Sequence, residues 1–303
     1  MGFEQRLRSL KKKLKTSSQD TYIRNIKRLR KVKGKLPIPE TSKWLAEKSL
    51  LTWFDDQPLS VRRHLSTAAN IANMVYNVES KAWKKRQIEA MEQYDEDRRK
   101  RKLTDKQKAL IPEKGFDSLK RVVGNMKREL RHVLKKIDNR GDLLRVQELV
   151  ILSLYYELPL RLDYATLQLK QEGDGNKIFR RKKKPAGWHV VLEDFKTAKS
   201  LGVKKFKLKM PNQRLLNKFV PAVKKLTTHG FLLTNRKGEK MSKQVLSKTL
   251  MRITRRRIGK EFSVQLLRIL YAMRNRDVIE SAKEVSDKLL HSQKQSLQYA
   301  KKD

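Results

Sequence analysis

Two arginines stand in segments that are otherwise apolar. Arg161 lies in ELPLRLDYATLQLK, directly after an apolar stretch, and Arg268 lies inside VQLLRILYAM. A buried guanidinium without an anionic partner is costly, so each arginine is expected to meet either a protein carboxylate or the phosphate of a ligand. Taken singly, such an arginine more often belongs to a structural ion pair. Two of them in one strongly basic region shift the balance towards phosphate binding.

Other catalytic chemistries lack the residues that they require. The chain has no cysteine, which excludes thiol nucleophiles and zinc fingers, and its five histidines show no metal-binding spacing. Phosphate-binding glycine loops and clustered carboxylates for a two-metal nuclease are also missing. The sequence therefore predicts neither a metal nor a cofactor. The tetrapeptide Lys240-Met241-Ser242-Lys243 matches the KMSK loop of one class of aminoacyl-tRNA synthetase, but the companion HIGH-type motif is absent and we interpret the match as chance.

A run of basic residues, RRKKKPAG, occupies positions 180–187. Such a run is typical of nuclear import signals. The interpretation that we prefer is the tip of a β-hairpin whose side chains, Arg181, Lys182 and Lys183, contact phosphates.

The net charge is far from that of an ordinary soluble protein. Lys and Arg number 74 and Asp and Glu 32, which gives +42 for 303 residues. Such a charge destabilises a compact chain unless a polyanion neutralises it, and nucleic acid is the first candidate, an anionic membrane surface the second. No apolar run could span a bilayer, and the first residues, MGFEQRLRSLKKKLK, lack the apolar core of a signal peptide. We therefore expect an intracellular or virion-associated protein that is not secreted.

The charge is shared between two regions. Residues 1–80 carry +10 and the rest of the chain +32. In the first region, apolar residues recur at helical spacing after Ser17-Ser18-Gln19-Asp20, and further helices fit 41–46, 49–54 and 60–76, which predicts a small helical domain. Basic residues of the first long helix, whose other interpretation is a solvated face, are candidate DNA contacts: Arg24, Lys27, Arg28 and Lys31. Residues 81–115 are predicted as a charged linker or helix.

The second region, 116–303, is predicted to be mixed. Helices fit 116–136 and 142–156, and helical patterns resume after Pro211. Between them, alternation in 167–171, 188–196 and 203–210 predicts strands, with Gly173-Asp174-Gly175-Asn176 as a turn. The predicted fold class is mainly α with a small antiparallel β-sheet (α+β).

The second region resembles the catalytic domain of tyrosine recombinases, the phage and mobile-element integrases. Arg161 in LPLRLDYATL is similar to their first arginine segment, and Lys196 in DFKTAKSLGVKKFKL to their hairpin lysine. Gln265-Leu266-Leu267-Arg268 resembles their HxxR box, with Gln in place of His, and LLHSQKQSLQY resembles their ending, with His291 and Tyr299. The first region is similar to their helical core-binding domain.

The resemblance implies a site-specific DNA recombinase or integrase that works without metal or ATP. Tyr299 would attack phosphorus to form a 3′-phosphotyrosyl bond, Arg161 and Arg268 would bind the non-bridging oxygens, and Lys196 would protonate the departing 5′-oxygen. His291 and Gln265 would add hydrogen bonds, although Gln265 cannot serve as a base. Lys199 and Lys204 are alternative acids. The implied partner is double-stranded DNA, held between the two domains, with a homotetramer at the synapse and a monomer or weak oligomer when free.

Two other functions fit the same residues. A type IB topoisomerase would use this constellation as a monomer to relax supercoils. A non-catalytic basic DNA-binding protein would need only the charge, and its arginines would be structural. The lysine-rich, cysteine-free composition suits the integrase of an AT-rich virus or a mobile element, acting in the host nucleus, the cytoplasm or the virion.

Overall fold

The computed structural model describes residues 2–32, 34, 37–99 and 103–281. The chain divides into two compact units, Met1–Leu103 and Thr104–Asp303. Both units are mainly helical, and the second also contains a small antiparallel sheet. The predicted fold class, mainly α with a small antiparallel sheet, is confirmed.

The described part of the first unit consists of helices around one apolar core. A 3₁₀ turn at Ser42–Ala46 follows the second helix, and the helices that pack together carry apolar residues at helical spacing. Alanines of the fourth helix allow close approach of its neighbours. The α-helices are α1 (Phe3–Leu10), α2 (Thr16–Lys31), α3 (Lys48–Asp55), α4 (Leu59–Val75) and α5 (Lys81–Arg99).

Helix α5 belongs to the first unit, although the sequence predicted a linker or solvated helix there. Trp83 is buried and packs edge-on against Phe54 with ring centroids 4.9 Å apart. Its indole nitrogen donates a 2.8 Å hydrogen bond to the carbonyl of Leu45. One buried tryptophan therefore anchors a helix whose average composition is strongly polar, and segment 81–115 is divided between the two units.

The second unit is built around a helix that is buried on most of its surface. This helix, Arg140–Glu157, has ten buried residues, and other helices of the unit pack against it. The side-chain carbonyl of Asn139 caps its start by accepting from the backbone N–H of Asp142 at 2.9 Å. The helices are α6 (Asp105–Leu110), α7 (Asp117–Glu129), α8 (Arg140–Glu157), α9 (Ala198–Leu201), α10 (Met210–Leu226), α11 (Lys243–Ile258) and α12 (Val264–Arg274).

The sheet has three antiparallel strands in the order β1-β2-β3. The strands are β1 (Lys177–Arg181), β2 (Gly187–Leu192) and β3 (Lys204–Lys207). Residues 182–186 form the tip between β1 and β2, where a ring nitrogen of His189 donates to the carbonyl of Pro185 at 2.8 Å. The basic run thus occupies a hairpin tip, as predicted.

Two strand assignments from the sequence are wrong. Segment 167–171 forms only isolated bridges, at Gln168, whereas β1 was not predicted because Ile178 and Phe179 are its only apolar residues. The strand predicted over 188–196 ends at Leu192. It ends there because the side chain of Asn176 accepts the next two backbone N–H groups, which diverts the chain from the ladder. The helix predicted over 116–136 also ends early, at Glu129.

Candidate active site

The loop that carries Arg161 follows α8 and is fixed by two buried tyrosines. The phenol of Tyr155 donates a 2.7 Å hydrogen bond to the backbone carbonyl of Arg161. The phenol of Tyr164 lies within hydrogen-bond distance of the carbonyls of Leu154, at 3.1 Å, and Leu158, at 2.6 Å. The two rings meet edge-on, with centroids 5.0 Å apart. Burial raises the pKa of both phenols, so they remain protonated donors.

The guanidinium of Arg161 is left available by this arrangement. The residue is half-buried, and its side chain makes no hydrogen bond or ion pair with any residue in the part of the chain that the structure describes. The nearby carboxyl of Asp163 is buried, and burial raises its pKa, whereas the charges of Lys243 and Arg161 act in the opposite direction. An arginine whose backbone is fixed and whose guanidinium has no ion-pair partner is suited to receive an external anion.

Lys196 lies in the connection between β2 and β3, in an exposed turn beyond the end of β2. The two alternative lysines share this connection or adjoin it: Lys199 lies in α9, and Lys204 is the first residue of β3. Among the residues that the structure describes, no hydrogen bond to the ammonium group favours one of the three lysines.

A hydrogen-bond network joins the Arg161 loop to the start of this connection. The Nδ2 of Asn176 donates to the Oγ1 of Thr166 at 2.8 Å and to the carbonyl of Asp194 at 2.7 Å. The hydroxyl of Thr166 in turn donates to the carbonyl of Asp163 at 2.8 Å. The segments that carry Arg161 and Lys196 are therefore bridged by two side chains.

An ion pair supports the same junction. Lys177, which is buried, pairs with Glu193 at 2.7 Å and also donates to the carbonyl of Gly173. Glu193 accepts a further hydrogen bond from the backbone N–H of Gly175 at 2.9 Å. The hydrogen bond from Lys177 lowers the pKa of Glu193. The base of the β2–β3 connection is thus tied to the turn that precedes β1.

Gln265 and Arg268 lie one turn apart on the solvent face of α12. Ser263 caps this helix by accepting from the N–H of Leu266 at 3.1 Å, and the apolar residues of α12 pack on the opposite face. Both side chains are exposed. The apolar neighbours of Arg268 in the sequence therefore do not bury it, because they belong to the other side of the helix.

The candidate DNA contacts of the first unit form an exposed stripe on α2. Arg24, Lys27, Arg28 and Lys31 are all exposed, whereas the apolar residues between them face the core. Lys27 forms a 2.7 Å ion pair with Glu4. The hairpin-tip candidates, Arg181, Lys182 and Lys183, are also exposed.

The KMSK tetrapeptide is accounted for by packing and capping. Met241 is buried, and the hydroxyl of Ser242 accepts from the N–H of Val245 at 3.2 Å to cap α11. The ammonium of Lys240 lies 3.8 Å from the centre of the Phe231 ring. These contacts explain the tetrapeptide without nucleotide chemistry.

Two predicted site residues, His291 and Tyr299, lie outside the described residues. Sequence reasoning missed the residues that position the site, namely Tyr155, Tyr164 and the Asn176 network. Asn176 was interpreted only as the end of a turn, and its contacts with Thr166 and Asp194 are tertiary, so a local pattern could not reveal them. The one signal in the local sequence was that Tyr155 and Tyr164 flank Arg161.

The described residues define a mainly helical α+β protein whose second unit carries an available arginine beside a lysine-bearing connection. Solved structures similar to this chain include the crystal structure of XerA recombinase, with a TM-score of 0.38 and 10% identity over 99% of this chain and 93% of that chain. At that score and identity the likeness carries no argument about activity. No protein-family model matches the sequence, and no curated protein matches it. Among the helices described, none is long and apolar enough to cross a membrane.

Proposed function

We propose that this protein is a site-specific DNA recombinase that breaks and rejoins strands through a 3′-phosphotyrosyl intermediate. The observation that carries the proposal is the environment of Arg161, whose backbone is fixed by Tyr155 while its guanidinium has no hydrogen-bond or ion-pair partner among the described residues. A solvated role for this arginine would not require a loop held by two buried phenols.

The proposed chemistry uses charge and hydrogen bonds on an anionic phosphodiester. Arg161 and Arg268 donate to the non-bridging oxygens and stabilise the charge that accumulates in the transition state. The hydroxyl oxygen of Tyr299 attacks phosphorus and loses its proton to water, and the bond from phosphorus to the 5′-oxygen breaks. Lys196 gives a proton to that oxygen, with Lys199 and Lys204 as alternatives. His291 and Gln265 add hydrogen bonds to the phosphate.

Rejoining is the reverse of cleavage. A 5′-hydroxyl from another strand attacks the phosphotyrosine and releases Tyr299. Because the phosphodiester energy is kept in the covalent intermediate, the transfer does not need ATP. Exchange between two duplexes involves four strands and one nucleophile for each, which is why we propose a homotetramer at the synapse.

The DNA is bound mainly through its phosphates. The exposed stripe of α2 and the basic hairpin tip offer cations to the backbone, and the net charge of +42 supports strong, salt-dependent binding. We propose that the first unit is the core-binding domain and the second unit the catalytic domain, with their boundary inside the segment 81–115. Integration of viral or mobile-element DNA is the biological setting that we propose.

Capture of covalently bound DNA from a random pool tests the proposal and selects the target site in the same experiment. The full chain is incubated with a pool of nicked duplexes of random sequence, denatured, and separated from free DNA. Sequences that remain linked to protein are then cloned as pairs into a plasmid. The proposal expects deletion or inversion between the paired sites.

Two other results would overturn it in favour of the alternatives. Relaxation of any supercoiled plasmid, with no exchange between captured sites, would indicate a type IB topoisomerase. Tight, salt-dependent binding with no covalent DNA would indicate a non-catalytic DNA-binding protein.

A further inference from the structure

Asn176 occupies an unusual position for a residue at the end of a turn. It is 3% exposed, and its side-chain amide makes four hydrogen bonds, so all of its main donor and acceptor positions are used. Three of the four go to consecutive residues, Glu193 and Asp194, at the start of the β2–β3 connection.

The hydrogen bonds of Asn176 reach both proposed catalytic segments, and in each segment they end two residues away from the catalytic residue. Asp194 lies two residues before Lys196, and Asp163, reached through Thr166, lies two residues after Arg161. The complete path has three hydrogen bonds of 2.8, 2.8 and 2.7 Å, and it ends on a backbone carbonyl at each side. Backbone carbonyls fix the course of a loop more directly than exposed side chains do.

Near Lys196 the connection is also supported by Phe195, which packs half-buried against the core of the second unit, and by the Lys177–Glu193 ion pair. The turn at 196–197 is exposed at Lys196, and α9 has no buried residue. The position of the lysine therefore depends on residues 193–195 at the near end of the connection, where Asn176 makes three hydrogen bonds to the backbone of Glu193 and Asp194. Loss of this anchor would let the connection shift relative to the Arg161 loop.

We propose that Asn176 is a positioning residue that holds the Lys196 connection at a fixed place beside the Arg161 loop. The inference rests on the proposed function, because it assigns Asn176 to the proton transfer from Lys196 to the departing 5′-oxygen. Displacement of an acid by about 1 Å can slow a reaction by about 100-fold. Disruption of the Asn176 network should therefore slow the departure of the leaving group more than it weakens phosphate binding.

A substrate with sulfur in place of the bridging 5′-oxygen separates these effects. A thiolate leaves without protonation, so a defect in the acid disappears on this substrate, whereas a defect in nucleophile or phosphate binding remains. Two variants disrupt the network: Asn176→Asp removes the amide donors, and Thr166→Val removes only the bridging hydroxyl with little change of shape. We expect cleavage of the ordinary substrate to slow by about 10- to 100-fold and to recover on the sulfur substrate.

Asn212 provides the matched control. It is also buried, at 2% exposure, and its amide donates to the carbonyl of Ser153 at 3.1 Å and to Glu157 at 2.6 Å. Asn212→Asp should disturb folding to a similar extent, with equal effects on the two substrates. Rates are compared per folded molecule, measured by circular dichroism, so that unfolding is not mistaken for slow chemistry.

The outcomes distinguish this inference from the function on which it rests. If Lys196→Ala recovers on the sulfur substrate but Asn176→Asp and Thr166→Val are slow on both substrates, the positioning role is overturned and the proposed function stands. If Lys196, Lys199 and Lys204 variants all fail to recover, or if the wild-type protein cleaves neither substrate, the proposed chemistry itself is overturned.

Discussion

The phenol of Tyr155 donates a 2.7 Å hydrogen bond to the backbone carbonyl of Arg161, six residues further along the chain. Tyr155 is fully buried near the end of α8, and Arg161 lies in the loop that follows. The core of the second unit thus fixes the backbone of an arginine whose side chain is half-buried and has no hydrogen-bond or ion-pair partner among the described residues. This relationship lets stability and activity be separated by experiment.

Replacement of Tyr155 by Phe should affect both stability and cleavage. The change keeps the ring but leaves the carbonyl of Arg161 without its donor, at an expected cost of about 1–2 kcal/mol in the free energy of unfolding. Cleavage per folded molecule should also fall, because the arginine is no longer held in place. Urea unfolding and single-turnover cleavage measure the two effects.

Tyr76→Phe is the control for this prediction. Tyr76 donates a similar 2.7 Å bond to the carbonyl of Pro39, but in the first unit. It should lower stability and leave the rate of cleavage on saturating DNA unchanged. If Tyr155→Phe loses stability but cleaves at the wild-type rate, the hydrogen bond does not position Arg161 for catalysis.

Replacement of Arg161 should give the opposite pattern to Tyr76→Phe, with cleavage lost and stability nearly unchanged. Because its guanidinium has no hydrogen bond or ion pair within the described chain, Arg161→Ala should change the free energy of unfolding by less than about 1 kcal/mol. DNA binding should be retained and cleavage lost. Arg257→Ala, which removes a 2.8 Å ion pair with Glu129, should instead leave cleavage intact. Unfolding of Arg161→Ala would show that the arginine is structural.

The pH dependence of stability should reveal the buried carboxyl of Asp163. Burial raises its pKa in the folded protein above the ordinary value of 3.8, so the folded state holds the proton to a higher pH than the unfolded chain does. Through this group, stability falls as the pH rises from about 3.8 to the raised pKa and is constant above it. Asp163→Asn should therefore be stabilised relative to the wild type at pH 7, with the difference shrinking towards pH 3. The free energies of unfolding of both proteins are measured from pH 3 to pH 7. The prediction is refuted if the free energy of unfolding of Asp163→Asn, minus that of the wild type, is smaller at pH 7 than at pH 3.

The exposed stripe of α2 should contribute to the salt dependence of DNA binding. Loss of one phosphate contact reduces the slope of log K against log salt concentration by about 0.9. We expect this reduction for Arg28→Ala and a smaller one for Lys27→Ala, because Lys27 already pairs with Glu4. Fluorescence anisotropy titrations at several salt concentrations give the slopes. An unchanged slope for Arg28→Ala would show that the stripe is a solvated face.

Helices of strong apolar periodicity were predictable from the sequence. The sequence predicts a helix over 60–76, and the structure has Leu59–Val75; it predicts 142–156, and the structure has Arg140–Glu157. Both helices bury a face or most of their surface, so their pattern is determined by the core. Strand β1 was not predictable because Ile178 and Phe179 are its only apolar residues, and the packing of Trp83 was not predictable because its partners, Leu45 and Phe54, are distant in the sequence.

The candidate site was predictable in part for the same reason. Arg161 and Arg268 are marked by their apolar neighbours in the sequence, but this pattern does not tell that Arg161 is half-buried and Arg268 exposed. The difference arises because Arg161 lies in a packed loop and Arg268 on the outer face of a helix. Asn176 carries no local mark at all, since its four hydrogen bonds form only when the hairpin and the Arg161 loop are assembled.

The proposed nucleophile, Tyr299, is identified by the residue that becomes linked to DNA. A suicide substrate, built from a captured sequence with a nick beside the cleavage position, is incubated with the wild-type protein and with Tyr299→Phe. Tyr271→Phe, a change of a half-buried tyrosine that the mechanism does not use, serves as the control. We expect a denaturant-resistant adduct with the wild-type and control proteins and none with Tyr299→Phe. An adduct that persists in Tyr299→Phe, or the absence of any adduct with the wild-type protein, would contradict it.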